Sequence, residues 1–381
     1  MELLIKDARI YQDGAFVPGD LLIRDGKIAA VGAGLSAPEA QVLPAQGRYC
    51  VPGFLDIHTH GGMNVDVNAA TEEDLRTLAR FFASHGTTGF LTSVLTDTQE
   101  QTELCIDRIT RAMAAPTGGA RILGIHLEGP FLASAYKGAM PEELLRRGDA
   151  DWVRACQARS GGAIRYITVS PEVEGVPELV SAISGEIAVA MGHSGAGYDA
   201  AMDCVKRGVR STTHTFNAMR LFHQHEPAIM GAALESDVYC EAICDGRHLH
   251  PGSVRMLLKC KGYDRVVAVT DSIQAAGLPD GYYKLGINDV VVENGDAKLV
   301  RDGTRAGSTL TTDQALRNLV KFTGEGLERV LPLLTENPAD LLRLPQKGRL
   351  RPGADGDAVL LTDELEVAAT VVAGEVVYTR A

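Results

Sequence analysis

Four histidines and two carboxylates stand where together they could hold metal: His58, His60, Glu128, His193, His214 and Asp271. Each lies at the end of a short apolar run. His58 and His60 follow Val51–Ile57 and are two residues apart, so on an extended chain they share one face. Glu128 ends Ile122–Leu127, His193 follows Ile187–Met191, His214 lies in Ser211–Thr215, and Asp271 ends Val266–Thr270. Singly, each has a structural reading as a satisfied core histidine, a loop histidine or a helix-capping carboxylate. Six of them at the ends of five such runs point to a metal site instead. Imidazole and carboxylate donors suit a borderline divalent ion, Zn²⁺ foremost, with Fe²⁺, Co²⁺ or Mn²⁺ compatible. Six donors exceed what one tetrahedral ion with an open water position takes. A pair sharing Glu128 is therefore expected, with His58, His60 and Asp271 on one ion and His193 and His214 on the other. The choice between one and two ions stays open. Such ions activate water at neutral pH and polarise a carbonyl. A carboxylate must still move protons, and Asp271 is best placed. Asp245 and His248 follow the seventh run, Cys240–Cys244. His126 is expected to be structural, sharing the side of Glu128 only if its strand kinks. His85, at a helix end, is expected to be structural too.

The elements that must position these groups alternate. Val51–Ile57 is followed by a helix opened by Thr71, with Asp74 three residues on as in a capping box, and with Leu75, Leu78, Ala79 and Phe82 at helical spacing. Further strand runs are Gly89–Val94, Ile122–Leu127, Tyr166–Val169, Ile187–Met191, Ser211–Thr215, Cys240–Cys244 and Val266–Thr270. Eight strands with helical connections predict an α/β fold, a (β/α)₈ TIM-like barrel, whose chemistry sits at the C-terminal ends of the strands. An open doubly wound sheet is the alternative, but no Gly-x-Gly-x-x-Gly turn follows the first strand. Both termini are β-rich. Leu3–Ile5, Ala15–Val17, Leu21–Ile23 and Ile28–Val31 open the chain, with Asp25-Gly26 as a hairpin signal. Ala358–Leu361, Thr370–Val372 and Val376–Tyr378 close it. One small β-sandwich module built from both ends is expected: residues 1–50 form one half, 346–381 the other, and 51–345 the barrel.

The chain has 381 residues, room for a barrel of about 250 plus a smaller module. A net charge of −12 without a Lys/Arg run argues against nucleic-acid or anionic-membrane partners. No apolar stretch approaches a membrane span, and the start lacks a basic segment with an apolar core, so a cytoplasmic protein is expected. Seven cysteines, an odd number without paired spacing, suggest reduced thiols, with Cys240 and Cys244 read as buried rather than metal-ligating.

These residues resemble the amidohydrolase superfamily and, within it, the N-acetylglucosamine-6-phosphate deacetylase family. The resemblance runs along the whole chain. Its marks are Pro52-Gly53-Phe54-Leu55-Asp56-Ile57-His58-Thr59-His60-Gly61, Leu127-Glu128-Gly129-Pro130-Phe131, Gly192-His193-Ser194, His214-Thr215-Phe216-Asn217-Ala218-Met219, Asp245-Gly246-Arg247-His248, Val269-Thr270-Asp271 and the tail Gly348–Asp357. Many superfamily members carry a carboxylated lysine after the fourth strand. Thr168-Val169-Ser170-Pro171 has none, and Glu128 substitutes. The resemblance implies hydrolysis of the acetamide of an amino-sugar 6-phosphate. It implies a principal ion on Glu128, His193 and His214, with Asp271 and His248 catalytic. Asn217-Ala218, His248 and Ala306-Gly307-Ser308 would line the sugar pocket, with backbone N–H groups near Asn217-Ala218 on the phosphate. Asn217 equally fits a turn former, Ala306–Ser308 a helix start, and Lys137-Gly138 a solvated loop. Two positions depart from the family. Met140, after Ala139, stands where a polar residue is common. His225 stands where the family has an arginine that reaches a neighbouring subunit's phosphate site, and an imidazole lacks the permanently charged guanidinium fork. A homodimer is implied, with His225 near the neighbour's site. Another N-acyl amino sugar or an N-acyl amino acid is the alternative substrate, and a non-catalytic sugar-phosphate-binding protein the alternative class.

Overall fold

In the computed structural model, which describes residues 2–380, the eight apolar runs become eight parallel strands paired in chain order. They are β1 (Phe54–Asp56), β2 (Thr87–Leu95), β3 (Arg121–Glu128), β4 (Ile164–Val169), β5 (Ala188–Met191), β6 (Val209–Thr212), β7 (Tyr239–Ile243) and β8 (Val266–Val269). Every residue of β2, β5 and β8 is buried, as parallel strands sheathed by helices must be. The helix over Glu72–Ser84 starts as expected at Thr71, with reciprocal Thr71–Asp74 capping, and buries Leu75, Leu78, Ala79 and Phe82.

Closure of the barrel falls beyond the strand ends. The Thr270 hydroxyl donates to Asp56 at 2.6 Å, the Asp271 N–H to the His58 carbonyl at 2.9 Å, and the His60 N–H to the Ser272 carbonyl at 2.8 Å. The segments carrying His58, His60 and Asp271 are thereby locked together at the mouth.

The expected strand Val51–Ile57 divides. Tyr49–Pro52 pairs antiparallel with Ala358–Leu361 in the terminal sheet, and only Phe54–Asp56 enters the barrel. Gly53 is the crossing point, because a Cβ there would lie 2.0 Å from the Thr88 hydroxyl oxygen. The terminal sheet joins Glu2–Gln12, Ala15–Arg24, Lys27–Gly32, Gln41–Pro44, Tyr49–Pro52, Ala358–Leu361, Val367–Val372 and Glu375–Thr379, so both ends of the chain build it. Leu3, Ile5, Ile10, Leu21, Ile23, Leu360 and Val371 form its own core. The runs Ala15–Val17 and Leu21–Ile23 are one strand rather than two. Asp25 and Gly26 turn the hairpin with φ of 51° and 75°, as a type I′ turn demands.

A three-stranded antiparallel sheet after β8, over Gly281–Leu285, Asn288–Glu293 and Asp296–Leu299, departs from the expected eight-unit pattern. Asn294-Gly295, both at positive φ, is the hairpin signal that marks it. Its Leu285, Val290 and Val292 pack with Leu95, Leu132 and Met140 beside the mouth. The cysteines are free thiols, and Cys240 and Cys244 are buried in and just after β7. Among the described residues no helix is long and apolar enough to cross a membrane.

Candidate metal centre and active site

The six expected ligands meet. His58, His60 and Asp271 form one group and Glu128, His193 and His214 another, with the donor atoms of each group within 4.8 Å of one another. Glu128 sits between them. Its Oε1 lies 3.1 Å from His193 Nε2, 3.3 Å from His214 Nε2 and 3.5 Å from His58 Nε2, and its Oε2 lies 3.2 Å from His60 Nε2. Asp271 Oδ1 is 3.3 Å from His60 Nε2 and 3.5 Å from His58 Nε2. His193, His214 and Asp271 leave their strands with φ of 48°, 29° and 50°. Left-handed backbone at a non-glycine residue costs about 1–3 kcal/mol and persists only where neighbours hold it. Here they do. The His193 carbonyl accepts the Ser170 hydroxyl at 2.6 Å, the His214 N–H donates to Glu241 at 2.8 Å, and the Asp271 carbonyl accepts the Ser308 N–H at 2.7 Å.

The other ring nitrogens fix which face each imidazole turns inward. His60 Nδ1 donates to the Ser93 carbonyl at 3.2 Å and His193 Nδ1 to the Tyr136 carbonyl at 2.8 Å. A carbonyl only accepts, so the proton of each neutral ring sits on Nδ1 and the Nε2 lone pair faces the cluster. His58 Nδ1 lies 2.9 Å from Glu241 Oε2. The result is a knot of acceptors: His193 Nε2 is 2.9 Å from His214 Nε2, and His58 Nε2 is 3.2 Å from His60 Nε2, around two carboxylates. Ring nitrogens and carboxylate oxygens so close call for protons or a metal cation among them, and this donor set fits a divalent metal with its ring-orienting partners already in place.

The electrostatics agree. Burial opposes charge on Glu128, yet the charge of His58 and hydrogen bonds from His193 and His214 hold its carboxyl well below the usual range. Burial likewise opposes charge on Asp271, and His58 and His60 outweigh it. Against the same desolvation, Glu241, Asp271 and Glu128 raise His58 well above an ordinary imidazole. A field that holds a proton on these rings favours a divalent ion in its place.

Above this floor opens a cavity of about 490 Å³. Ala139, Met140, Asn217, Ala218, His248, Ala306 and Gly307 line it, as the family resemblance implies. Met140 is only 2% exposed and shares the apolar cluster under the three-stranded insert, which accounts for the missing polar residue. Ser308 does not line the cavity; its hydroxyl is buried and donates to the Thr270 carbonyl at 2.6 Å. The Asn217 N–H donates to the His214 carbonyl at 2.9 Å, so it is committed to the turn, whereas the Ala218 N–H makes no hydrogen bond to another described residue. His248 Nδ1 is held by Asp245 Oδ2 at 2.7 Å. His225 is exposed and lies outside the cavity wall of its own chain.

His126 is structural, but the reason given by the sequence needs correction. β3 pairs without a shift from His126 to Glu128, so the two share the barrel interior by the strand period alone and no kink is involved. His126 is buried between the Ser93 and Thr168 hydroxyls, each at 2.9 Å. His85 bonds Asp313 at 3.0 Å and is likewise structural.

Sequence reasoning missed Glu241, because a carboxylate in the middle of an apolar strand gives no ligand spacing. It weighed Lys137 against a solvated loop and missed the cations Arg301 and Arg305, and all three lie on the cavity wall. Two of them belong to the unexpected insert and the loop behind it.

The comparisons with known proteins converge. A family model described as the amidohydrolase family matches residues 49–377. The chain is 34% identical over 359 residues to the N-acetylglucosamine-6-phosphate deacetylase of Lysinibacillus sphaericus, covering 94% of this chain and 92% of that protein. It is 35% identical over 394 residues to the human enzyme of that name, covering 99% and 95%. A Mycobacterium smegmatis N-acetyl-D-glucosamine-6-phosphate deacetylase mutant, solved with N-acetyl-D-glucosamine-6-phosphate, superposes with a TM-score of 0.92 at 32% identity, over 99% of this chain and all of that one.

Proposed function

The chain belongs to the amidohydrolase family, and from that premise we propose that it hydrolyses the acetamide of N-acetyl-D-glucosamine 6-phosphate to D-glucosamine 6-phosphate and acetate. The observation that carries this reading is the pair of donor groups, one of them including the Asp271 carboxylate, on the floor of a cavity lined also by cations.

One or two divalent ions, Zn²⁺ foremost, would be held by Glu128, His193 and His214 and by His58, His60 and Asp271, and when bound they lower the pKa of water and polarise a carbonyl oxygen. Asp271 takes the proton of the attacking water as the C–O bond forms at the acetyl carbonyl. The same carboxyl then delivers that proton to the amine as the C–N bond breaks, because an unprotonated amine is too basic to leave. His248, oriented by Asp245, contacts the substrate across the cavity. Ala139 and Met140 form an apolar wall, while Asn217, Ala306 and Gly307 shape the sugar site above Ser308. The Ala218 N–H receives the phosphate, with Lys137 and Arg301 balancing its charge. Lys137 Nζ bonds only the Met140 carbonyl, at 3.2 Å, and is not paired with a carboxylate among the described residues. Arg305 is already held by Asp296 at 2.8 and 3.1 Å, so it contributes less. The protein works as a cytoplasmic homodimer. The loop with Leu221 and Phe222, 75% and 56% exposed, carries His225 to the neighbouring subunit's site.

Acetate release from a panel of N-acetylated sugars, with and without a 6-phosphate, and from N-acetyl amino acids tests the reading. N-acetylglucosamine 6-phosphate is expected to give the highest kcat/KM. A better substrate without phosphate would move the assignment to another N-acyl compound, and no acetate from any member, with metal bound, would leave only a binding role.

A further inference from the structure

We propose that Glu241 is a positioning residue that ties the two metal subsites together, one carboxylate oxygen holding a ligand of each. Glu241 lies in the middle of β7 with no exposed surface. Its Oε2 is 2.9 Å from His58 Nδ1 and 2.8 Å from the His214 backbone nitrogen. His58 belongs to the group with His60 and Asp271, and His214 to the group with Glu128 and His193. No other carboxylate outside the six ligands reaches both groups among the described contacts.

Each of the two bonds does a specific task. At His58 the carboxylate accepts a hydrogen bond from Nδ1–H, which leaves the Nε2 lone pair facing the cluster and makes the ring a stronger donor. At His214 it holds the N–H of a residue whose φ is 29°, a backbone angle that needs an external anchor. Apart from the His58 ring and the His214 N–H, this carboxylate meets no charged or donating partner among the described contacts, and its other side faces the neighbouring buried Tyr166. A charge enclosed in that way is best compensated when a divalent ion sits on the far side of the His58 ring. Glu241 therefore favours the filled site over the empty one, and it links the filling of one subsite to the other.

The inference depends on the divalent-metal reading of the centre and not on the identity of the sugar. Its test is Zn²⁺ affinity, measured by competition with a chromophoric chelator on full-length protein stripped of metal. Wild type titrated in parallel separates the two readings: wild type that takes up no ion removes the metal reading itself. Given uptake by wild type, Glu241→Gln preserves the shape and an acceptor oxygen but removes the charge. It is expected to weaken Zn²⁺ binding about 10–100-fold, the usual effect of losing a ligand-orienting partner. The Co²⁺-loaded variant is expected to show a shifted ligand-field spectrum. Glu241→Asp keeps the charge but falls short of His58, and is expected to lose affinity as well. The melting temperature of the metal-free protein reads the purely structural alternative. Wild-type Zn²⁺ affinity and an unchanged Co²⁺ spectrum in folded Glu241→Gln would overturn the proposal, whatever the melting temperature does. So would failure of both variants to fold without metal, since the group would then serve the barrel and not the ions.

Discussion

Asp271 carries two duties in the proposed mechanism, for it lies 3.5 and 3.3 Å from the His58 and His60 rings with which it would share an ion, and it is also the carboxylate proposed to move the proton. Asp271→Asn keeps the shape and abolishes the proton transfer. We expect kcat to fall at least 10²–10⁴-fold, roughly the worth of general acid–base catalysis, while metal at the Glu128 group stays; elemental analysis beside steady-state rates checks both halves. The ligands themselves should differ. His193→Asn or His214→Asn removes an imidazole from the tighter group and is expected to strip metal and activity together. His58→Asn should lose only the second ion and keep part of the rate. Full metal content in His193→Asn protein, by the same elemental analysis, would contradict the assignment of the principal site.

At the level of elements, the ligands depend on how strands and helices hand over to one another. Asp313 opens the helix over Thr312–Thr323 and is 8% exposed; it bonds His85 at the end of the helix over Glu72–Ser84, at 3.0 Å, and Arg317 at 2.9 Å. Burial alone would raise its carboxyl, but His85 and Arg317 pull it down to about 2 from an ordinary 3.8. A carboxyl depressed on folding adds stability above its unfolded value and loses it as pH falls through the folded one. Asp313→Asn is therefore expected to cost about 2 kcal/mol at neutral pH. The gap to wild type should hold down to about pH 5 and close between about pH 4 and pH 2. Denaturant unfolding across that range measures it, and a gap independent of pH would refute the pairing.

At the scale of the whole molecule, the terminal sheet is bolted to the barrel by a buried lysine. Lys347 Nζ lies 2.7 Å from Asp355 and 2.6 Å from Asp357, and the Asp357 carbonyl accepts the Gly53 N–H at 3.1 Å, where the chain crosses into the barrel. Burial disfavours the ammonium, and Asp357 and Asp355 raise it above its ordinary value. Lys347→Met leaves Asp357 facing an apolar chain, while Asp355 keeps only its pairing with Lys27. Breaking a buried ion pair from one side costs about 3–5 kcal/mol, so a clear drop in melting temperature and in the denaturation midpoint is expected. An unchanged midpoint would mean that the sheet and barrel are held together elsewhere.

Apolar runs of four to eight residues, most of them ending in or beside an imidazole or a carboxylate, were enough to read the barrel and the six candidate metal donors from sequence. A parallel strand buried on both faces and a ligand at its mouth leave local signatures: hydrophobicity, and residue type at the strand end. The shared terminal sheet was legible in outline because neither end had enough strands to bury alone. Other features were not local. Gly53 and Pro52 hid a handover between two sheets inside one apolar run, since what forbids a side chain there is Thr88, thirty-five positions away. His126 needed its register with Ser93 before its face was known. Glu241 reads as an interruption in a hydrophobic strand until folding brings it under His58 and His214. Lys137, Arg301 and Arg305 share a cavity only because the insert packs Leu285 and Val290 beside the mouth. Residue type and strand period determined which groups could do chemistry. Which of them meet, and what holds each in place, depended on contacts between residues far apart in the chain, and only the tertiary structure decides those.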